Sequence, residues 1–243
     1  MLIIFPMAGL SSRFLKAGYK EPKYMLELKG KSLFARAVSS FKQYFDKFDF
    51  LFIYRNLQDS ESFIKKECEG LNLKRFEMIE LEKPTLGQAH TCFLGLLKAK
   101  IKDDESLLIF NIDSFYLDFS LPKELDIIDG YLEVFKGKGQ QWSFVKTLPN
   151  SNRVIQTAEK EPISKLCSTG LYYFKKASDF KEVFLQMQKA NDKSKNEFYI
   201  APMYNYLITQ NKDIRAFEID IKKLVFCGLP SEYEELLKDE SFK

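Results

Sequence analysis

The 243-residue chain holds one histidine, one tryptophan and four cysteines. The cysteines (Cys68, Cys92, Cys167, Cys227) stand far apart, with no C-x-x-C pair. That spacing makes neither a zinc site nor a disulfide scaffold and fits a reducing compartment, so a cytoplasmic location is expected. No stretch approaches the roughly 18 apolar residues of a membrane span. The opening Met1-Leu2-Ile3-Ile4-Phe5 is too short for a secretory signal, and no basic region precedes it. There is no surplus of one charge either: 37 basic and 34 acidic residues leave +3. That balance argues against nucleic acid or a membrane surface as partner.

What the chain has in quantity is aromatic residues, with 23 Phe and 12 Tyr in a composition that is 45% hydrophobic. A core of that kind is large enough to fold alone. Short apolar runs alternate with segments of helical period. Strands are expected at Leu2–Met7, Phe50–Tyr54, Phe76–Leu81 and Leu107–Ile112, and helices at Ser60–Glu69 and Gln88–Lys98. Ser32 is placed to cap a helix carrying Phe34, Ala37, Val38, Phe41 and Phe45. After about residue 128 strands dominate: Tyr131–Phe135, Trp142–Lys146, Val154–Ala158, Leu166–Phe174 and Arg215–Ile219. Helices are expected at Ala177–Lys189, Tyr199–Gln210 and Ser231–Lys238. The order predicts a single α/β, Rossmann-like domain over 1–243 with a mostly parallel mixed sheet. Ligands then sit at the carboxyl ends of its strands. Residues 1–128 read as a nucleotide-binding half and 129–243 as an acceptor-binding half.

Two phosphate motifs compete near the start. Gly30-Lys31-Ser32 has the tail of a P-loop, but the glycine that pattern needs five residues earlier is Met25, so a turn is expected there. The opening loop is the stronger candidate. A buried strand runs into Met7-Ala8-Gly9-Leu10-Ser11-Ser12-Arg13, and Pro22-Lys23 follows. Small residues let backbone N–H groups approach a polyphosphate, Arg13 offers a forked cation and Lys23 a point charge. Seven basic side chains against two acidic ones lie within residues 1–36, which is a solvated basic face or part of this cradle.

The run Pro6-Met7-Ala8-Gly9-Leu10-Ser11-Ser12-Arg13-Phe14, followed by Pro22-Lys23-Tyr24-Met25-Leu26, closely resembles the signature of the nucleotidyltransferases that make activated sugars and related compounds. The likeness extends along most of the chain and implies their GT-A-like fold. Thr85-Leu86-Gly87-Gln88-Ala89-His90-Thr91 resembles the family's second nucleotide loop, which implies base and ribose contacts from Gly87, Gln88 and Thr91. Asn111-Ile112-Asp113 is similar to its strand-end metal motif, implying nucleotide contact at Asn111 and Mg²⁺ (or Mn²⁺) at Asp113. Glu159-Lys160-x-Pro162 is similar to a motif that touches the acceptor's phosphate, and Ser168-Thr169-Gly170-Leu171-Tyr172 to the strand beside the acceptor. Glu197 joins Glu159, Lys160 and Gly170 as an acceptor candidate, and Glu159, Asn196 and Glu197 are polar groups able to read hydroxyls. Gly228-Leu229-Pro230 resembles the family's G-T-P turn, yet the usual second metal aspartate just before it is replaced by Phe226 or Cys227. Asp220 is the expected substitute, against the alternative of a surface acid at a strand end. Asp113 has its own alternative, a cap for Ser114–Leu117, and His90 is either an ordinary helix residue or a ligand contact.

The missing acid–base pair does not argue against catalysis. In nucleotidyl transfer a phosphate oxygen attacks the α-phosphorus of a nucleoside triphosphate and pyrophosphate leaves. That oxygen is already ionised near neutrality, because its second pKa is about 6. Positioning and charge neutralisation remain, for which Arg13, Lys23, Lys160 and a metal at Asp113 suffice. The signature, with Gly18-Tyr19 inside it, is more narrowly similar to a subgroup in bacterial capsule and surface-polysaccharide pathways. Within it the likeness is to cytidylyltransferases that join CTP to phosphorylated L-glutamine, so these are the expected substrates. The alternatives are a sugar-1-phosphate nucleotidyltransferase and a non-catalytic nucleotide-binding partner. Self-association is left open, with Phe115 and Tyr116 as candidate exposed aromatics for an interface.

Overall fold

The computed structural model describes residues 1–240, so the last three positions of the expected 1–243 domain lie outside the described residues. From the N-terminus the chain forms β1 (Leu2–Met7), α1 (Ser12–Lys16), the hairpin β2 (Glu27–Leu28) and β3 (Lys31–Ser32), and α2 (Leu33–Ser39). It continues through β4 (Asp49–Tyr54), α3 (Ser60–Gly70), β5 (Phe76–Glu80), α4 (Gln88–Lys98), β6 (Leu107–Ile109) and β7 (Ser114–Tyr116). The second half contains β8 (Gly130–Lys136), β9 (Ser143–Thr147), β10 (Val154–Glu159), β11 (Leu166–Phe174), α5 (Ala177–Lys189) and α6 (Met203–Thr209). It closes with β12 (Ile214–Glu218), β13 (Leu224–Phe226) and α7 (Pro230–Lys238).

Nine strands make one mixed sheet in the order β10-β9-β11-β6-β1-β4-β5, with β8 paired to both β11 and β12. The run β6-β1-β4-β5 is parallel, while β11 joins β6, β8 and β9 antiparallel. The α/β class with a mixed sheet is as the sequence indicates. Strand alternation explains the two-sided core. Along β4, Leu51 and Ile53 face the layer of α4, α5 and α6, whereas Phe50, Phe52 and Tyr54 face that of α2 and α3. The phenylalanines concentrate on the second side, where the Phe41 ring meets Phe5, Phe110 and Phe119 at 4.8 to 5.8 Å. From β1 the chain goes to β4 and β5 on one side and to β6 on the other. The strand order therefore reverses between β1 and β6, which is where a parallel sheet opens a crevice beyond its carboxyl ends.

Several local expectations are revised. The expected strand Leu107–Ile112 ends at Ile109, and a separate strand, β7, pairs antiparallel with β13 in its own two-stranded sheet. This pairing removes the alternative of Asp113 as a helix cap, since Ser114–Tyr116 is strand. Helix α6 begins at Met203 instead of Tyr199 because Pro202 disfavours helix in the residue before it. Gly30-Lys31 lies in the β2–β3 hairpin, where Lys29 and Gly30 take φ of 48° and 79°, the left-handed pair of a tight turn. Ser32 caps α2 as expected, its Oγ accepting from Ala35 N at 2.9 Å. Phe115 and Tyr116 are not exposed: they are 3% and 6% accessible, because β7 is covered by α2 and β13. Among the described residues no helix is long and apolar enough to cross a membrane.

Candidate active site

At the β1/β6 reversal lies a cleft of about 750 Å³ that extends into the second half of the chain. One wall is the loop after β1. Met7, Ala8, Gly9, Leu10, Ser11, Ser12 and Arg13 all line it. Ser11 takes a left-handed φ of 49°, and its Oγ accepts from Lys23 N at 3.0 Å, which fixes the lysine's backbone to the loop. Gly9 has no heavy atom within 4 Å of where a Cβ would stand, so small size there leaves cleft space open.

The opposite wall begins at Pro84. Gly87, Gln88, Thr91 and Asn111 line the cleft together with Thr85. Gly87 has φ of 105°, and a Cβ on it would meet Phe198 O at 2.7 Å. The loop is stitched to that segment by Phe198 N donating to Leu86 O and Ala89 N donating to Phe198 O. Gln88 Nε2 donates to Asn111 Oδ1 at 2.6 Å, and Gly170, at φ of 89°, packs against the same asparagine. These contacts tie α4, the end of β6 and the middle of β11 into one surface. There β11 breaks register with β8 between Ser168 and Tyr172, as irregular strands do beside sites. His90 does not line the cleft. Its Nδ1 accepts from Leu86 N at 3.0 Å and its ring stacks on Phe184, so it braces the loop from behind. Burial and the nearby Lys193 charge lower its pKa, which keeps the accepting nitrogen unprotonated.

Lys23 Nζ forms an ion pair with Asp113 Oδ2, both side chains being partly buried. Asp113 is held by its own backbone, whose carbonyl accepts from Cys227 N at 2.8 Å. The β7–β13 pairing brings a residue that the sequence reading missed. Glu232, on the first turn of α7, lines the cleft and accepts from Gly228 N and Leu229 N at 2.9 and 3.0 Å. A Cβ on Gly228 would stand 3.0 Å from Asp113 Oδ2 and 3.9 Å from Glu232 Oε2, so the glycine keeps open a space bordered by two carboxylates. Burial raises the Glu232 pKa and the Asp113 charge raises it further, against its backbone hydrogen bonds and Arg13. Hard oxygen donors in this arrangement suit Mg²⁺. Asp220 is not brought here. Its Oδ1 accepts from Lys222 N at 3.0 Å, capping a short 3-10 turn outside the cleft, and this corrects its expected role as metal ligand.

The second half of the chain lines the cleft with Glu159, Lys160, Glu197 and Gly170, and with Trp142, Lys195 and Tyr199. Glu159 accepts from Ser143 Oγ and lies 3.1 Å from Lys160 Nζ. Lys160 also donates to Tyr199 OH and sits 4.1 Å from that ring's centre. Burial opposes its charge, but the bonds to Tyr199 and Glu159 outweigh burial and raise its pKa.

No protein-family model and no curated protein matches the chain in sequence. Solved structures do. The nucleoside-diphosphate-sugar pyrophosphorylase from Vibrio cholerae RC9 is 45% identical over 98% of this chain and 100% of its own, with a TM-score of 0.93. The inositol-1-phosphate CTP transferase from T. maritima is 15% identical at TM-score 0.71, over 98% of this chain and 94% of its own. A UDP-glucose pyrophosphorylase complexed with UDP-glucose is 16% identical at 0.74, over 97% and 96%. The two distant structures share the fold; the Vibrio structure, aligned end to end, shows that this chain belongs to the nucleoside-diphosphate-sugar pyrophosphorylase family of nucleotidyltransferases.

Proposed function

We propose that the chain is a Mg²⁺-dependent cytidylyltransferase that joins CTP to a phosphorylated small molecule, L-glutamine phosphate in first place, in capsular polysaccharide modification. The observation that carries the reaction type is one cleft lined by Arg13, Lys23 and Asp113 from the first half of the chain and by Lys160 from the second. A polyphosphate and a second phosphate would find cations there from both halves of the chain, and no histidine lines the cleft among the described residues. None is needed, since the attacking phosphate oxygen is ionised near neutrality.

Residues 1–128 bind the nucleotide. The backbone of Met7–Ser12 lies along the phosphates, and Gly87, Gln88, Thr91 and Asn111 hold base and ribose. Arg13 neutralises the outer phosphates, and Lys23 the α-phosphate as it passes through the transition state. Residues 129–243 bind the acceptor, with Lys160 on its phosphate and Glu159 and Glu197 on its polar body. Asp113 and Glu232 are the carboxylates that would hold Mg²⁺, which when bound would supply positive charge to the phosphates and the departing pyrophosphate. Removing one of these contacts costs on the order of 10²–10³ in turnover. The glutamine reading rests on the opening signature, and Glu159, Glu197, Lys160 and Lys195 together offer both charges to an amino-acid acceptor.

A hexose-1-phosphate acceptor is the second reading, favoured by the name of the Vibrio relative. Pyrophosphate release measured across four nucleoside triphosphates, hexose-1-phosphates, phosphocholine and phosphoglutamine separates the two. Turnover confined to CTP with phosphoglutamine is expected. Turnover with a hexose phosphate establishes the second reading, and nucleotide binding without turnover points to a non-catalytic partner.

A further inference from the structure

We propose that Lys23 is a built-in counter-ion that competes with the metal for Asp113, so that polyphosphate binding frees the metal position by drawing the lysine away. This rests on the reading of Asp113 as the metal ligand.

The ion pair joins two groups assigned to different partners in the working complex. Lys23 Nζ lies on Asp113 Oδ2. Both main chains are anchored, Lys23 through its N–H to Ser11 Oγ and Asp113 through its carbonyl to Cys227 N. The contact therefore opens by side-chain motion, for which the four-carbon stem of the lysine has the longer reach. The side chains are 26% and 17% exposed, so water screens the pair less than a surface ion pair. An ammonium and a divalent cation repel each other at one carboxylate oxygen, and no other acidic side chain bonds Lys23 among the described residues. A polyphosphate changes this by giving the ammonium new anionic oxygens beside Ser11 and Arg13, on the same wall of the cleft. Metal affinity in the nucleotide-free protein is then reduced by the fraction of molecules whose Lys23 stays on Asp113. By linkage, nucleotide and metal bind cooperatively through this one side chain.

The test measures Mn²⁺ affinity of the full chain without nucleotide, from the spectroscopic signal of free Mn²⁺. Lys23→Met, which keeps the length and removes the charge, is expected to bind Mn²⁺ more tightly than the wild type, by about 5- to 150-fold, the usual span of coupling between sites. Lys23→Arg retains the pairing and is expected to stay near the wild-type value. The gain must vanish when Lys23→Met is combined with Asp113→Asn. Thermal unfolding of each variant establishes that the folded protein is being measured. Equal or weaker Mn²⁺ binding by folded Lys23→Met overturns the proposal, as does a gain that survives Asp113→Asn. Either result leaves pyrophosphate release by the wild type untouched, whereas absence of that release with every nucleotide defeats the functional reading instead.

Discussion

Gly9 and Gly170 both border the cleft, yet they are small for opposite reasons. A side chain at Gly9 meets nothing of the protein, so the volume is the ligand's. Gly9→Val is expected to leave thermal unfolding nearly unchanged while raising the nucleotide KM by about tenfold or more, as a buried clash of about 1.4 kcal/mol gives. A lower melting temperature with an unchanged KM contradicts this. A Cβ at Gly170 would stand 2.1 Å from Asn111 Nδ2, on a backbone at φ of 89°. Gly170→Ala is expected to lose about 1–3 kcal/mol in urea unfolding and to displace Asn111 from Gln88. At Lys23, charge reversal should reduce turnover far more than reversal at Lys65, which is exposed and bridged only to Glu61 four residues away. Equal losses defeat the phosphate-cradle argument. The cradle was readable because its residues are contiguous and chemically distinctive. Glu232 was not, because its approach to Asp113 depends on two three-residue strands too short to leave a periodic trace. Asp220 misled for the same reason, since nearness in sequence to the Gly228 turn says nothing of direction in space.

Between elements, the site is held from below by Glu133 on β8. This carboxylate is 5% exposed and accepts from Tyr116 OH on β7 and from Thr169 Oγ1 on β11, the latter at 3.1 Å. It thus links the strand following Asp113 to the strand beneath the acceptor end. Burial raises its pKa from an ordinary 4.5 to about 7, against the two hydroxyl hydrogen bonds and Lys223. Because the folded value exceeds the unfolded one, folding favours the protonated form. The penalty for ionising it is absent below about 4.5, grows as pH rises and is complete above about 7. Urea unfolding should therefore show a loss of up to about 3 kcal/mol between these limits, and Glu133→Gln should remove that slope. An identical pH dependence in the variant contradicts the assignment. His90 runs the other way. Its depressed pKa means that its contact with Leu86 contributes stability above the unfolded value of about 6.5, and loses it as pH falls through the folded value. The parallel strands were legible because alternate residues face two different helix layers. The hairpin β2–β3 and the β7–β13 pair were not, being two or three residues long.

Across the whole molecule, a near-neutral chain brings cations and carboxylates, four of each, from both of its halves into one cleft, and that placement defines the chemistry available. Arg13 and Lys23 come from the start of the chain, Asp113 from the turn just before β7, Lys160 from the turn after β10 and Glu232 from α7. Strand order could be anticipated only in part. The reversal between β1 and β6 follows from alternating strands and helices, but the placement of β8, β9 and β11 depends on long-range antiparallel pairing. In the proposed reaction the α-phosphorus is attacked and pyrophosphate leaves. Its most direct test is to follow label from CTP carrying radioactive phosphorus at either the α or the γ position, with Mg²⁺ and the acceptor that supports turnover. The α label is expected in the acceptor product and the γ label in pyrophosphate. Transfer of γ label to the acceptor, or its release as orthophosphate, would contradict it.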